Sequence, residues 1–158
     1  MPYKFPTRLN KSIADHLIKQ VDNFLFDCDG VIWNWPKAID GSVELINKLK
    51  HMGKKCFFVT NNSTKTRSMV LDLVKSIGVK DTSIDDIVCT AWVLGGYLNS
   101  IKYTDKVYVV GSEAIGKELD NANIKVLHLF CSIFNLNSKC HLKLKKKLST
   151  QALVQHRT

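Results

Sequence analysis

Long apolar runs are missing from this chain. Nothing in its 158 residues approaches the roughly 18 to 20 consecutive apolar positions a membrane-spanning helix needs, and Met1 to Gln20 lacks the apolar centre of a secretion signal. The sequence therefore predicts a soluble, non-secreted protein. Cysteine pairs are also missing. Cys28, Cys56, Cys89, Cys131 and Cys140 are odd in number, widely spaced and contain no Cys-x-x-Cys, which argues against a disulfide framework or a zinc site and predicts a reducing, cytoplasmic location. The five histidines show no metal-ligand spacing. Acidic residues stop at Asp120 and glycines at Gly116. Residues 1–125 hold 17 Lys and Arg beside all 14 acids, so the remaining 33 residues supply +6 of the net +9. A charge of this size usually suggests nucleic acid, but here the excess belongs to the tail. At 45% hydrophobic and 23% charged, the rest reads as one globular domain with a sizeable core.

Along the chain, helical and strand patterns alternate. Ser12-Ile13-Ala14-Asp15 has the Ser-x-x-acid form of a helix start, with the helix running to about Gln20. Val21 to Asp27 is a continuous apolar stretch through Phe24, Leu25 and Phe26, the pattern of a strand buried on both faces in a parallel sheet. A helix is predicted over Ser42 to Met52, ended by Gly53, and a strand over Cys56 to Thr60. Asn61-Asn62-Ser63 breaks that strand, and Thr64 to Ile77 reads as a helix stopped by Gly78. Ile87 to Cys89, Trp92 to Leu98, Lys106 to Val110 and Ser112 to Asn121 continue the alternation. The predicted fold class is α/β, a Rossmann-like doubly wound parallel sheet. Composition shifts near 125, dividing a core over 1–125 from a basic tail over 126–158 that includes Lys143, Lys145, Lys146 and Lys147.

In open α/β sheets, ligands bind beyond the carboxyl ends of strands. Two such ends carry chemistry here. The strand through Phe26 delivers Asp27 and Asp29 at i and i+2, followed by Gly30; the strand through Val59 delivers Thr60, Asn61 and Asn62 just ahead of a helix. The chemistry such residues could perform is phosphoryl transfer. Asp27 can attack phosphorus, dividing one hard hydrolysis into two easier steps. Asp29 can protonate the leaving oxygen and then activate water. The Thr60 hydroxyl, the Asn61 amide and nearby backbone N–H groups can meet charge on the phosphoryl oxygens, and Mg²⁺ can share the carboxylate oxygens.

Phe24-Leu25-Phe26-Asp27-Cys28-Asp29-Gly30-Val31-Ile32-Trp33, Thr60-Asn61-Asn62-Ser63-Thr64-Lys65-Thr66-Arg67 and Val107-Tyr108-Val109-Val110-Gly111-Ser112-Glu113 resemble the haloacid dehalogenase superfamily, in its 4-nitrophenylphosphatase or phosphoglycolate phosphatase branch. The likeness covers about residues 12 to 125. It implies Asp27 as nucleophile and Asp29 as general acid/base, with Mg²⁺ on the Asp27 side chain and the Asp29 carbonyl. Thr60, Asn61 and Asn62 become the phosphate-binding motif, and the substrate a small phosphate ester. The resemblance further implies a cap domain, a lysine and a downstream acidic pair, and none of the three is legible in this sequence. The expectation is an N-terminal half of a phosphatase, incomplete and without its cap, with residues from about 126 read from a different frame or exon. Without the lysine and a metal carboxylate, the carboxylate pair repels the phosphate, predicting little or no turnover.

Structural roles compete for several of these residues. A strand-end aspartate pair can simply cap backbone N–H groups, and Thr60 to Asn62 can serve both as a helix cap and as a ligand. Cys28 reads as a small filler whose thiolate is opposed by the flanking carboxylates. Lys65 and Arg67 suit a solvated helix face, Trp33 and Trp35 aromatic packing, and Gly95-Gly96 lacks a phosphate-loop pattern. The alternative function is a non-catalytic remnant binding phosphate or a partner, with a homo-oligomer left open. The basic tail offers nucleic acid or an anionic membrane as partner, although Lys139 to Leu148 holds no aromatic to stack on bases.

Overall fold

The structure, a computed structural model, describes residues 8–130. Its chain divides into two compact units, Met1–Thr60 with Leu73–Ile87 and Asn61–Asp72 with Val88–Thr158. The basic run at 139–148 and the cysteines at 131 and 140 lie outside the described residues.

The first unit opens with α1 (Lys11–Gln20). Asn10, not Ser12, caps it, accepting the Ile13 N–H at 2.9 Å. An extended Asn just before the helix satisfies an orphan donor, whereas Ser12 already lies inside the first turn. Strand β1 (Asn23–Asp27) follows and differs from its reading as a strand buried on both faces. Exposure alternates along it, and Leu25 is 69% exposed. The apolar run fits an edge strand of the sheet ordered β1-β4-β5, where β4 is Lys55–Thr60 and β5 is Ile87–Cys89.

After β1 the chain makes a short antiparallel hairpin, β2 (Trp33–Asn34) with β3 (Lys37–Ala38), turning through a cis Trp35–Pro36 bond. Two-residue strands carry no period, so sequence pattern could not show this hairpin. Helix α2 (Ser42–His51) buries Ile46 and Leu49 and leads through Gly53, at φ 77°, into β4. Strand β4 runs parallel to β1 and buries Cys56 and Phe58. Lys50 joins the unit from α2, with its ammonium 3.2 Å from Asp86 and 5.9 Å from the Phe58 ring centroid. A carboxylate and an aromatic face thus share one cation.

In the second unit, α4 (Thr90–Ser100) and α5 (Glu113–Asn121) accompany β6 (Val107–Gly111) and β7 (Val126–Phe130). Leu98, Val109, Leu119 and Ile124 form the buried cluster, with Ile115, Ala122 and Val126 packed on it. Helices α4 and α5 approach closely because Gly95 has no side chain: a Cβ there would stand 2.7 Å from that of Ala122. Strand β7 pairs in parallel with β6 from Val107↔Val126 to Gly111↔Phe130, so regular pairing begins on the far side of the boundary that composition draws near 125. Helix α3 (Arg67–Ser76) and β5 each run from one unit into the other. The architecture is α/β with parallel strand pairs, the class the alternation predicts. Among the described residues, no helix is long and apolar enough to cross a membrane.

Candidate functional site

Parallel pairing sets the first part of the site. The register Asp27↔Val59 brings the carboxyl ends of β1 and β4 level, with Asp27 as the last residue of one strand and Thr60 as the last of the other. Asp27 is exposed at that end, while Thr60 is buried at 3%. The Asp27 Oδ1 accepts the Cys28 backbone N–H at 2.8 Å. Asp29 stands on the turn that follows. Its Oδ1 accepts the indole N–H of Trp33 at 2.8 Å, and Gly30 closes the loop by donating its N–H to the Trp33 carbonyl at 2.8 Å. Gly30 has φ 83°, a left-handed conformation in which a side chain would be strained. Trp33 is buried at 3% and Trp35 is 56% exposed, so Trp33 braces the loop from within while also holding Asp29. Asp27 and Thr60 thus end two neighbouring parallel strands, and Asp29 follows on the turn two residues after Asp27.

Cys28 lies between the two carboxylates and is fully buried. Its thiol is pushed up to about 12, first by burial and then by the charges of Asp27 and Asp29. Sequence reasoning found the direction but credited the carboxylates, where loss of hydration is the larger cause. Cys28 is a protonated filler.

Asn61 and Asn62 belong to the second unit, on the loop that precedes α3. The Asn62 Oδ1 accepts both the Thr64 N–H at 3.0 Å and the Thr64 hydroxyl at 2.6 Å, an Asx turn that shapes the loop. Thr66 is the cap of α3: its hydroxyl accepts the Met69 N–H at 3.3 Å and its carbonyl the Val70 N–H at 3.0 Å. This cap, with the Asx turn before it, delays the helix to Arg67 instead of the Thr64 read from periodicity. The Arg67 guanidinium lies 4.2 Å from the Trp92 ring centroid, so it stacks on an aromatic instead of occupying a solvated face.

Two residues that sequence reasoning missed hold this loop from α5. Ser112 donates its hydroxyl to the Ser63 carbonyl. Glu118, only 3% exposed, accepts the Arg67 N–H on Oε1 at 2.7 Å. A signal was present: Glu118 occupies the same helical stripe as Ala114, Ile115, Leu119 and Ala122, a carboxylate where the period calls for an apolar residue.

The donor set suits Mg²⁺. This ion takes hard oxygens from one or two carboxylates and fills its octahedron with water and substrate phosphate, which matches two aspartates at an open strand end. Among the described residues, no group of three or more His, Cys, Asp or Glu side chains gathers to hold a metal ion, so any Mg²⁺ would rest on one or two carboxylates, water and phosphate.

Comparison with known proteins shows the chain's family. The sequence model of the haloacid dehalogenase-like hydrolases matches residues 24–125. Phosphoglycolate phosphatase 1A, chloroplastic, of Arabidopsis thaliana is 41% identical over 116 residues, covering 72% of this chain and 32% of the plant protein. The p-nitrophenyl phosphatase of Archaeoglobus fulgidus superposes with TM-score 0.64 at 32% identity, covering 68% of this chain and 41% of that one. A glycerol phosphate phosphatase of Mycobacterium tuberculosis, solved in complex with magnesium, shares the fold with TM-score 0.60 at 22% identity, over 70% of this chain and 33% of that one. The chain spans about a third of the length of the plant phosphatase it matches.

Proposed function

The chain belongs to the haloacid dehalogenase-like hydrolases, and from that membership we propose that it carries the nucleophile and phosphate-binding elements of a Mg²⁺-dependent phosphomonoester hydrolase. The observation that supports this reading is that Asp27 and Thr60 are the last residues of the paired parallel strands β1 and β4, with Asp29 on the turn after Asp27.

Asp27 is the nucleophile. Its Oδ1 is held by the Cys28 N–H, which leaves Oδ2 to attack phosphorus as the P–O bond to the leaving alcohol breaks. Asp29, fixed by the Trp33 indole, gives a proton to the departing oxygen and then takes one from the water that hydrolyses phospho-Asp27. Thr60 donates to a phosphoryl oxygen, and Asn61 and Asn62 are the further phosphate ligands that the family motif proposes. Asp27 and the Asp29 carbonyl would hold Mg²⁺, which when bound neutralises phosphate charge and lowers repulsion from the carboxylates. The substrate is a small phosphate ester, the class that the names of the relatives describe.

Within these 158 residues all acidic side chains lie at or before Asp120. Hydrolysis of p-nitrophenyl phosphate tests the reading. Mg²⁺-dependent release of p-nitrophenol that Asp27→Asn abolishes is the expected outcome; measurable release at equal rates in chain and variant would contradict it.

A further inference from the structure

Glu118 stands out among the charged groups that the reaction does not use. It is a carboxylate buried at 3%, and its partner is the Arg67 main-chain N–H at the first position of α3. Burial of a carboxylate is costly unless charge-assisted hydrogen bonds compensate, so the bond fixes where α3 begins. The same helix α5 is preceded by Ser112, whose hydroxyl donates to the Ser63 carbonyl. Residues 63 and 67 are therefore tied to the start and the body of α5, and the Asx turn of Asn62 with Thr64 spans the first of these ties. The loop is short, and its main chain has little freedom once Ser63 and Arg67 are held.

Resting on the phosphate-binding role given above to Asn61 and Asn62, we infer that Glu118 is a positioning residue: it anchors the start of α3 and so presets the 61–66 loop to receive a phosphoryl group. The carboxylate also occupies the first N–H of α3 and opposes the positive end of its dipole. The anion is consequently received by the loop amides upstream, and the helix terminus proper serves as an anchor. Glu118 touches no substrate. Its effect reaches the phosphate through the main chain between Asn62 and Arg67.

The test uses the 158-residue chain with inorganic phosphate as the probe, in the presence of Mg²⁺, followed by amide resonances of residues 61–67. In the unsubstituted chain, phosphate shifts the Asn61, Asn62 and Ser63 amides, and the Arg67 amide proton lies at low field because its acceptor is charged. Glu118→Ala is expected to return the Arg67 proton to an ordinary position and to weaken phosphate roughly tenfold, the equivalent of one net charge-assisted hydrogen bond. Glu118→Gln keeps an acceptor of the same shape and is expected to restore affinity to within about threefold. If Glu118→Ala does not fold, Ser112→Ala takes its place, with a smaller loss of about threefold expected from a neutral bond. Phosphate binding unchanged in the variant that folds, with unmoved amide shifts at 61–63, overturns the inference alone. Absence of any phosphate response in the unsubstituted chain overturns the phosphate-binding reading and this inference with it.

Discussion

Asp27 and Asp29 differ by the partner each oxygen meets. A backbone N–H engages one and a buried indole N–H the other. Between them Cys28 measures how dry the loop is. Its thiol titrates near 12 in the folded chain against an ordinary 9.0, so it keeps its proton where an unfolded chain would lose it. Its stabilising contribution is complete below pH 9.0 and disappears as pH rises towards about 12. The urea midpoint, measured in Mg²⁺-free buffer, should therefore fall between pH 8.5 and 10.5 by more in the native chain than in Cys28→Ala. Equal slopes would show that Cys28 is hydrated. Gly30 gives a second residue-scale prediction. At φ 83° with nothing within 4 Å of a built Cβ, Gly30→Ala meets conformational strain but no clash, and should cost about 1 to 2 kcal/mol in chemical denaturation. A neutral substitution would mean the loop relaxes.

At the scale of elements, neighbouring glycines in α4 separate packing from propensity. A Cβ at Gly95 would stand 2.7 Å from the Ala122 Cβ on α5, whereas at Gly96 nothing lies within 4 Å. Gly96→Ala should raise stability by about 0.5 to 1 kcal/mol through helix propensity. Gly95→Ala should lower it by about 1 to 3 kcal/mol, because α4 and α5 must part. Thermal unfolding of the two variants checks the pair, and a gain at both positions would contradict the close approach. These same elements show how much was legible beforehand. The long periodic segments α2, α3, α4 and α5 and the apolar strand β4 were readable because burial repeats along them, and Asp27, Asp29 and Thr60 because strand ends follow apolar runs directly. What local pattern could not show was set at a distance or by small units. The Ser12 cap lost to Asn10 two residues earlier, the β2 and β3 hairpin has no period, and Glu118 meets Arg67 across 51 residues of sequence. The exposure of Leu25 likewise depends on which elements cover β1, a tertiary fact that an apolar run does not contain.

Across the whole molecule, chemistry and charge are segregated. Every acidic side chain lies at or before Asp120, and a third of the chain's excess positive charge lies at or before Lys125. The family match over residues 24–125 includes Asp27, Asp29, Thr60, Asn61 and Asn62, as well as the Glu118 that anchors α3. Hydrolysis through a phospho-aspartate has two halves, and the proposed first half is attack by Asp27 on phosphorus. The most direct measurement is fluorine NMR of the 158-residue chain with beryllium fluoride, a tetrahedral mimic of the phosphoryl group that bonds to a nucleophilic carboxylate. The account predicts a bound trifluoroberyllate signal that needs Mg²⁺ and is lost in Asp27→Asn. A signal that persists in Asp27→Asn, or no bound signal at millimolar beryllium fluoride and Mg²⁺, would contradict Asp27 as the nucleophile.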